Sequence, residues 1–565
     1  MRRKLSLLLA IIMMLSLVAA CTTTTPPPAT TAPPTTAPPP TDPPVAEKIA
    51  IYNIGVIDTA LDPTDRHTTG TVNMFINING YLMRYNLHDD WEFELASGYT
   101  ISDDQLVWTI KLKPDLKFSS GNPITADDVI FSWTRALDPE YAGEYAFILY
   151  YIKGGEAFNN SLNDDSPVSR EEALAELGLK KIDNLTVEVT LEEPTPFFNQ
   201  LLGYNTYCVL DKAFMEAMSP YPHKDYGTSP EKLSTSGPFM VVEYKQDEYV
   251  LTKKNPNYYD ASKVKLDGVK FLFVQESSTE LNMFEAGEIH LINLAISAAD
   301  QNYYAAQNKL IMLPTLGAGW IGYNCVKAPY DDVRVRKALV LALDMELIVD
   351  TIIKGGTVAA DGFVPHMPDP AGGKAFRDYS LINTTPKADE AKALLAEAGY
   401  PGGAGFPTDT TIIFTAPGDM NRAISEAMCA MWKETLGITV SPEAQEAGAR
   451  LANRREGNFD LAFQGWGADY ADPTTFLDCL LSDHFYNYGK YLNPDFDAAM
   501  KNAAANGRNL SVRSDYLREA EIILCEDMPM IMTTFSSKVY LQSPLLVDVV
   551  ASPMAIFDLK WADLK

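Results

Sequence analysis

Strand-like and helix-like segments alternate along most of this chain, and that alternation restricts the fold more than any other feature of the sequence. Residues 106–112 alternate apolar and polar side chains with the period of a half-buried strand. Residues 125–128 (Thr-Ala-Asp-Asp) place a hydroxyl and, three residues later, a carboxylate, which is the pattern of a capping box at a helix start. Segments of both kinds in alternation predict α/β domains.

Further elements of both kinds follow along the chain. Residues 185–191 and 240–252 have strand character and are interpreted as a strand pair. The C-terminal half contains longer apolar stretches that end at glycine, a common helix terminator. They predict helices over 332–353, 387–398 and 424–436.

The first twenty residues are typical of a signal peptide. Three basic residues precede an apolar run from Leu5 to Ala20, which is shorter than the roughly 20 residues that cross a bilayer as a helix. The run closes on Leu-Val-Ala-Ala-Cys at 17–21, which resembles the bacterial lipobox. The sequence therefore predicts a lipoprotein signal peptide over 1–20 and lipidation of Cys21. More than one acyl chain is needed for a stable anchor.

Residues 21–44 are predicted to be a tether. Ten prolines and nine threonines fall between 22 and 44, a composition that buries no core and favours extended, polyproline-like conformers. At about 3.1 Å per residue the tether reaches on the order of 70 Å. Whether its threonines are glycosylated is left open by the sequence.

The rest of the chain, about 520 residues, implies two or more domains. Its apolar stretches are too short to span a membrane, so a soluble body is expected. The net charge of −28 argues against nucleic acid or anionic headgroups as partners. Five cysteines besides Cys21 lack any CxxC spacing, which favours buried free thiols while leaving one disulfide open. They are Cys208, Cys325, Cys429, Cys479 and Cys525.

Sequence patterns of enzymes and metal sites are missing from this chain. Its six histidines are scattered, and the chain contains neither a GxSxG nucleophile elbow nor a GxxxxGK[ST] phosphate loop. The interpretation is therefore a binding protein rather than an enzyme, without a metal or a cofactor.

A series of motifs points to one family. Residues 108–139 read WTIKLKPDLKFSSGNPITADDVIFSWTRALDP. Further blocks follow at 181–183, 194–198, 234–239, 254–259, 285–289 and 329–339. In this order they resemble the family 5 extracellular solute-binding proteins, which serve ABC importers of oligopeptides, dipeptides and nickel complexes.

The resemblance implies an α/β, bilobal, periplasmic-binding-protein-like fold of class II and of the peptide-binding type, with an extra domain inserted in the first lobe. The ligand lies extended between two closing lobes, hydrogen-bonded like an added strand. The predicted boundaries are 45–80, 218–322 and 537–565 for lobe I, 81–217 for the inserted domain and 323–536 for lobe II.

The block from Gly465 to Leu477 implies where the ligand binds. It resembles the stretch that carries an aspartate paired with the ligand's α-ammonium group in the oligopeptide-binding branch, and Asp469 holds that position. A carboxylate in an enclosed cleft needs a cation, and a peptide N-terminus is one. The alternative is that Asp469 caps a turn or pairs with a nearby arginine.

Other positions carry over from the same resemblance. Tyr145 matches a tyrosine that lines the peptide cleft, with a packed core aromatic as the alternative, and Trp466 is expected to flank the first ligand side chain. Arg454 matches an arginine of the carboxylate-binding region, and Gly465 and Ala468 complete the predicted site.

Two departures put the family's clamp on the ligand's C-terminal carboxylate in doubt. Phe463 stands where the enterobacterial relatives have an arginine, and Ala447 stands where they have a pocket-lining tryptophan. They suggest a larger, more apolar far end of the cleft.

The sequence thus predicts a monomeric lipoprotein, anchored to the cell membrane and facing its outer side, that captures oligopeptides and delivers them to an ABC permease and its ATPase subunits. Two alternatives stay open. One is the same role for a di- or tripeptide, a signalling peptide, a metal chelate or a saccharide, and the other is a surface enzyme or adhesin with this fold.

Overall fold

The structure is a computed structural model that describes residues 47–57, 60–65, 68–163, 166–292, 296, 298–307, 309–415 and 418–565. The predicted signal peptide, the tether and Cys21 lie outside the described residues. Within that part of the chain, no helix is both long and apolar enough to cross a bilayer.

Strands of the described chain form one large sheet and four smaller ones. In chain order they are β1 (Ile49–Asn53), β2 (Met83–Tyr85), β3 (Trp91–Phe93), β4 (Ala96–Ile101), β5 (Val107–Leu112), β6 (Leu179–Asp183), β7 (Thr186–Thr190), β8 (Phe239–Lys245), β9 (Tyr249–Lys254), β10 (Gly268–Leu272), β11 (Leu291–Ile292), β12 (Leu310–Tyr323), β13 (Val358–Ala359), β14 (Thr411–Thr415), β15 (Ser441–Gln445), β16 (Leu461–Gly467), β17 (Met530–Gln542), β18 (Leu546–Val547), β19 (Val550–Ala551), β20 (Phe557–Asp558) and β21 (Asp563–Leu564).

Helices are interspersed among these strands, so the fold is mixed α/β. They are α1 (Thr69–Ile78), α2 (Ala126–Leu137), α3 (Gly155–Asn159), α4 (Arg170–Ala175), α5 (Phe198–Leu201), α6 (Lys212–Met218), α7 (Ser277–Glu285), α8 (Ala298–Ala305), α9 (Val333–Leu341), α10 (Met345–Ile348), α11 (Ala388–Glu397), α12 (Asp419–Leu436), α13 (Ala447–Glu456), α14 (Thr474–Leu477), α15 (Pro494–Ala505) and α16 (Leu510–Asp527).

Two long strands join the halves of the large sheet, whose order is β15-β14-β16-β12-β17-β11-β1-β10-β9-β8, with β13 also paired to β17. Strands β12 and β17 are antiparallel, from Leu310 opposite Leu541 to Gly322 opposite Met530. At one end of this strand pair, β17 also pairs with β11. At the opposite end, β12 also pairs with β16. The predicted lobe boundaries near 322 and 536 fall within these two strands and stay predictions.

Three large hydrophobic clusters form the cores. One contains residues between 316 and 535, including Trp320 and Trp432. A second contains residues between 82 and 209 together with Tyr470, and it underlies the separate sheet β4-β5-β7-β6. A third joins β1, α1 and β8–β10 to residues 540–562 near the C-terminus.

Several predicted elements are confirmed, and two predictions are wrong in detail. The capping box is present: the backbone N–H and the hydroxyl of Thr125 both donate to Asp128, at 2.8 and 2.7 Å. The helix predicted over 332–353 is interrupted, because Asp344 accepts a hydrogen bond from the N–H of Leu347 and starts a new helix. The predicted strands 185–191 and 240–252 do not pair: β7 pairs with β5 and β6, and β8 with β9.

The five cysteines in the described residues are free thiols, as the sequence analysis favoured.

Candidate ligand-binding site

Strand β16 positions the predicted site. It runs antiparallel to β12 between Leu461 and Gly467. Beyond the strand, the N–H of buried Ala468 donates to the carbonyl of Leu316 at 2.7 Å. The N–H of Asp469 then donates to Oγ1 of Thr475 at 3.4 Å. Strand pairing and these two hydrogen bonds hold the backbone that leads into Asp469.

The carboxylate of Asp469 is partly buried and lacks a cation. The hydroxyl of Tyr204 donates to its Oδ1 at 3.0 Å. Burial raises the pKa of Asp469 to about 6, although the hydrogen bond from Tyr204 acts in the opposite direction. Among the described residues, no lysine, arginine or histidine forms an ion pair with it. Burial removes the water that stabilises the charged form of the carboxylate. A positive charge beside Asp469 would stabilise that charged form instead.

Aromatic side chains from distant parts of the sequence lie next to Asp469. The ring of Tyr145 is 6.5 Å, between centroids, from the ring of Tyr204. On the other side, Trp466 packs against Tyr486 at 4.9 Å and donates from Nε1 to Oγ1 of Thr475 at 3.1 Å. Thr475 therefore links Trp466 to Asp469, and the rings form apolar walls beside a single charge.

A cavity of about 450 Å³ opens beside the same strand. Gly465 lines it, and the carbonyl of Gly465 accepts a hydrogen bond from the Tyr486 hydroxyl at 2.7 Å. Arg450 and Arg454, one turn apart on α13, also line the cavity. Hydroxyl side chains complete much of the wall: Thr357, Thr415, Thr533, Thr534, Ser536 and Ser537.

The structure groups the predicted site residues into two places. Asp469, Trp466 and Tyr145 belong to the carboxylate and its aromatic neighbours, while Gly465 and Arg454 line the cavity. Ala468 is buried between them on the backbone. The ligand-binding role of each of these residues stays a prediction.

The two departures noted in the sequence have different positions. Phe463 lines the cavity, and its carbonyl accepts a hydrogen bond from Nη1 of Arg450 at 2.7 Å. Ala447 is the first residue of α13, is exposed, and is not among the lining residues. Of the two departures, Phe463 therefore shapes the cavity, together with Arg450 and Arg454.

Three residues of the site were missed by the sequence analysis. Arg450 had a usable signal, because it precedes Arg454 by four residues and would share a face with it on any helix. Tyr204 and Tyr486 had none: Tyr204 lies 265 positions from Asp469, and no local pattern indicates that Tyr486 packs on Trp466.

The mixed α/β fold, in which two halves share one large sheet, is the fold of two-lobed solute receptors. Residues 91–487 match the model of the bacterial extracellular solute-binding proteins, family 5 (middle part). This covers more than half of the chain, and the chain belongs to that family.

Relatives and solved structures agree with this assignment. The periplasmic oligopeptide-binding protein OppA of Salmonella typhimurium is 33% identical over 70% of either chain. A crystal structure of a periplasmic oligopeptide-binding protein of Borrelia burgdorferi has a TM-score of 0.76 at 26% identity, covering 92% of this chain and 100% of that one. Listeria monocytogenes OppA bound to peptide has a TM-score of 0.74 at 27% identity, with the same coverage. The bilobal α/β fold predicted from the sequence is confirmed.

Proposed function

We propose that this protein captures oligopeptides outside the cytoplasm and delivers them to the permease of an ABC importer, whose ATPase subunits supply the energy. Membership of the solute-binding family supports the transport role, and the names of the Salmonella, Borrelia and Listeria relatives support peptides as the ligand. The observation that carries the proposal is Asp469, a carboxylate with a raised pKa and no cation beside it among the described residues. The α-ammonium group of a peptide supplies that cation.

In this proposal Asp469 binds the first residue of the ligand. Tyr204 donates to Oδ1, which leaves Oδ2 for the ligand's ammonium group. A partly buried carboxylate without a partner is costly, so pairing it with the ligand gives affinity. Trp466 and Tyr145 provide ring surfaces for the first side chain, and the ligand backbone adds to the protein like a strand.

The strand pair β12–β17 is proposed as the hinge. These are the strands that run between the two halves of the sheet, and their register shifts between Pro314 and Ala318. Such an irregularity bends and twists a strand locally. Small changes of backbone angle there would close the lobes over a ligand.

The protein is further proposed to be held at the outer face of the cell membrane by lipid on Cys21, after removal of residues 1–20. Metabolic labelling with an alkyne fatty acid tests this directly. Wild-type protein is expected to incorporate the label and stay with membranes, whereas Cys21→Ser is expected to be unlabelled. Labelling of the Cys21→Ser variant would contradict the assignment.

We also propose that the protein acts as a monomer. Capture and release break no covalent bond, so the role requires no catalysis, cofactor or bound metal, and nucleic acid is not a partner.

Binding of a peptide library to Asp469→Asn tests the central role. Losing one member of a buried charge pair costs about 2–5 kcal/mol, so peptide affinity is expected to fall at least tenfold. Asp483→Asn is the matched control, because Asp483 is an exposed carboxylate on a nearby loop.

Two outcomes would contradict this proposal, and they are distinguishable. If no peptide of two to eight residues binds wild-type protein by calorimetry or raises its Tm, the ligand class is wrong. If a folded Asp469→Asn variant binds as tightly as wild type, only the role of Asp469 is wrong.

A further inference from the structure

Helix α13 brings two positive charges into the cavity beside β16. Arg450 and Arg454 are four residues apart, so their side chains lie on the same face of the helix. Like charges at this spacing destabilise a helix slightly. The described residues that line the cavity contain no aspartate or glutamate. Two cations therefore share one cavity whose described lining contains no anion, in a chain whose net charge is −28.

Arg454 is the more deeply buried of the two, with only 6% of its surface exposed. Its guanidinium carbon lies 4.5 Å from the centroid of the Tyr488 ring, a cation–π contact. Its Nε is buried without a hydrogen-bond acceptor in the described structure. Buried charges in proteins are normally paired, so this guanidinium is unusual in lacking an anion.

Arg450 is half-buried and is held in place from one side. Its Nη1 donates to the carbonyl of Phe463 at 2.7 Å, while its Nε is buried without an acceptor among the described residues. Burial lowers the pKa of Arg450, and the neighbouring charge of Arg454 lowers it further. The hydrogen bond to a backbone carbonyl orients the guanidinium but leaves its charge uncompensated.

The rest of the cavity suits a polar, negatively charged group. Its hydroxyl side chains donate hydrogen bonds and carry no charge, and its volume of about 450 Å³ lies in the range of small-ligand sites. A single carboxylate matches one guanidinium through two parallel hydrogen bonds. A second carboxylate is needed to match the other.

We infer that this cavity is a subsite for a ligand end that carries two negative charges, namely a peptide whose last residue is aspartate or glutamate. The inference rests on the proposed function, because it specifies which peptides are preferred. Arg454 binds one carboxylate and Arg450 the other, with the α-carboxylate and the acidic side chain both inside the cavity.

Residue spacing along β16 limits how far Asp469 lies from the edge of the cavity at Gly465. Gly465 lines the cavity and Asp469 follows four residues later, so their Cα atoms are at most about 14 Å apart along an extended chain. An extended peptide of about three to five residues covers a comparable distance. Its ammonium group then meets Asp469 while its acidic end meets the arginines.

Matched peptide series test the inference. Alanine peptides of three to six residues ending in glutamate are compared with the same peptides ending in glutamine, by calorimetry with the purified full-length protein. Wild-type protein is expected to bind the best glutamate peptide at least tenfold more tightly than its glutamine partner. Arg450→Met and Arg454→Met are each expected to reduce that ratio to less than threefold.

Arg455→Met is the matched control, because it removes the same charge from the same helix at an exposed position. It is expected to keep the tenfold preference. Arg450→Lys keeps the charge and is expected to retain most of it, and a Tm for each variant shows that it is folded.

Equal affinity of wild-type protein for the glutamate and glutamine series would overturn the inference while leaving peptide capture intact. An unchanged preference in folded Arg450→Met and Arg454→Met variants would overturn it as well. Binding of neither series, at any length, would instead overturn the proposed function on which the inference rests.

Discussion

Two buried arginines in this protein have opposite surroundings. Arg84 on β2 is fully buried and forms ion pairs with Glu94 at 2.8 Å and with Asp558 at 2.5 Å. It also donates to the carbonyls of Ile76 and Asn79. Arg454 is almost as buried, yet among the described residues the contact of its guanidinium is with the face of a tyrosine ring and with no carboxylate.

The contrast separates a structural charge from charges that we propose are kept for a ligand. Glu94 is a near neighbour of Arg84 in the sequence, whereas Asp558 lies 474 positions away, so the ion pairs of Arg84 join β2 to the C-terminal residues of the chain. Arg450, Arg454 and Asp469 have no such partners among the described residues. Buried charge that the protein does not neutralise itself is a strong indication of where a ligand binds.

Arg84→Met should have the largest effect on stability. It leaves Glu94 and Asp558 buried without a cation, and breaking a buried pair in this way costs about 3–5 kcal/mol. Urea unfolding measures the free energy of unfolding, with the exposed Arg455→Met as the control, expected to change it by less than about 0.5 kcal/mol. A loss of under about 1 kcal/mol for Arg84→Met would contradict a structural role for the ion pairs of Arg84.

The pH dependence of binding should reveal the unpaired carboxylate. Burial raises the pKa of Asp469 to about 6, so below that pH the group is protonated and neutral and cannot pair with an ammonium. A peptide α-amino group has a pKa of about 8 and stays charged across this range. Peptide affinity should therefore be highest between pH 6 and 8 and fall about tenfold per unit below 6.

Calorimetry from pH 4.5 to 8 checks this, with Asp469→Asn as the reference. The variant should bind weakly and show no fall in affinity below pH 6. A wild-type profile that stays flat down to pH 4.5 would mean that another group holds the ligand's ammonium.

Arg450→Met should have the smallest effect on the unliganded protein. It removes a charge that is repelled by Arg454 and neutralised by no acidic side chain in the described lining. The free energy of unfolding without ligand should change by less than about 0.5 kcal/mol or rise slightly. A loss of several kcal/mol in urea unfolding would place Arg450 with Arg84 as a structural residue.

Local sequence patterns predicted much of the fold, whereas the candidate site residues came from the family resemblance. The capping box at Thr125 and the glycine-terminated helices α11 and α12 depend on neighbouring residues, and they were predicted correctly. The break before Asp344 was missed because the apolar pattern continues across it, although an aspartate is a common N-cap.

Pairings between distant segments could not be predicted in this way. Strand β7 pairs with β5 rather than with residues 240–252, and nothing local to either segment specifies this choice. Tyr204 reaches Asp469 across 265 sequence positions. Only the family resemblance pointed to Asp469, and it gave no indication that Arg450 would join Arg454.

The two arginines of the cavity also affect how fast ligands arrive. The protein as a whole is strongly acidic, so an acidic-ended peptide is repelled on approach and attracted only near the cavity. At physiological ionic strength charges are screened beyond about 8 Å, which weakens the distant repulsion more than the contacts inside the cavity. If the cavity binds such peptides as we propose, their association rate should therefore rise with salt, the reverse of the behaviour of ligands that are steered by an opposite charge.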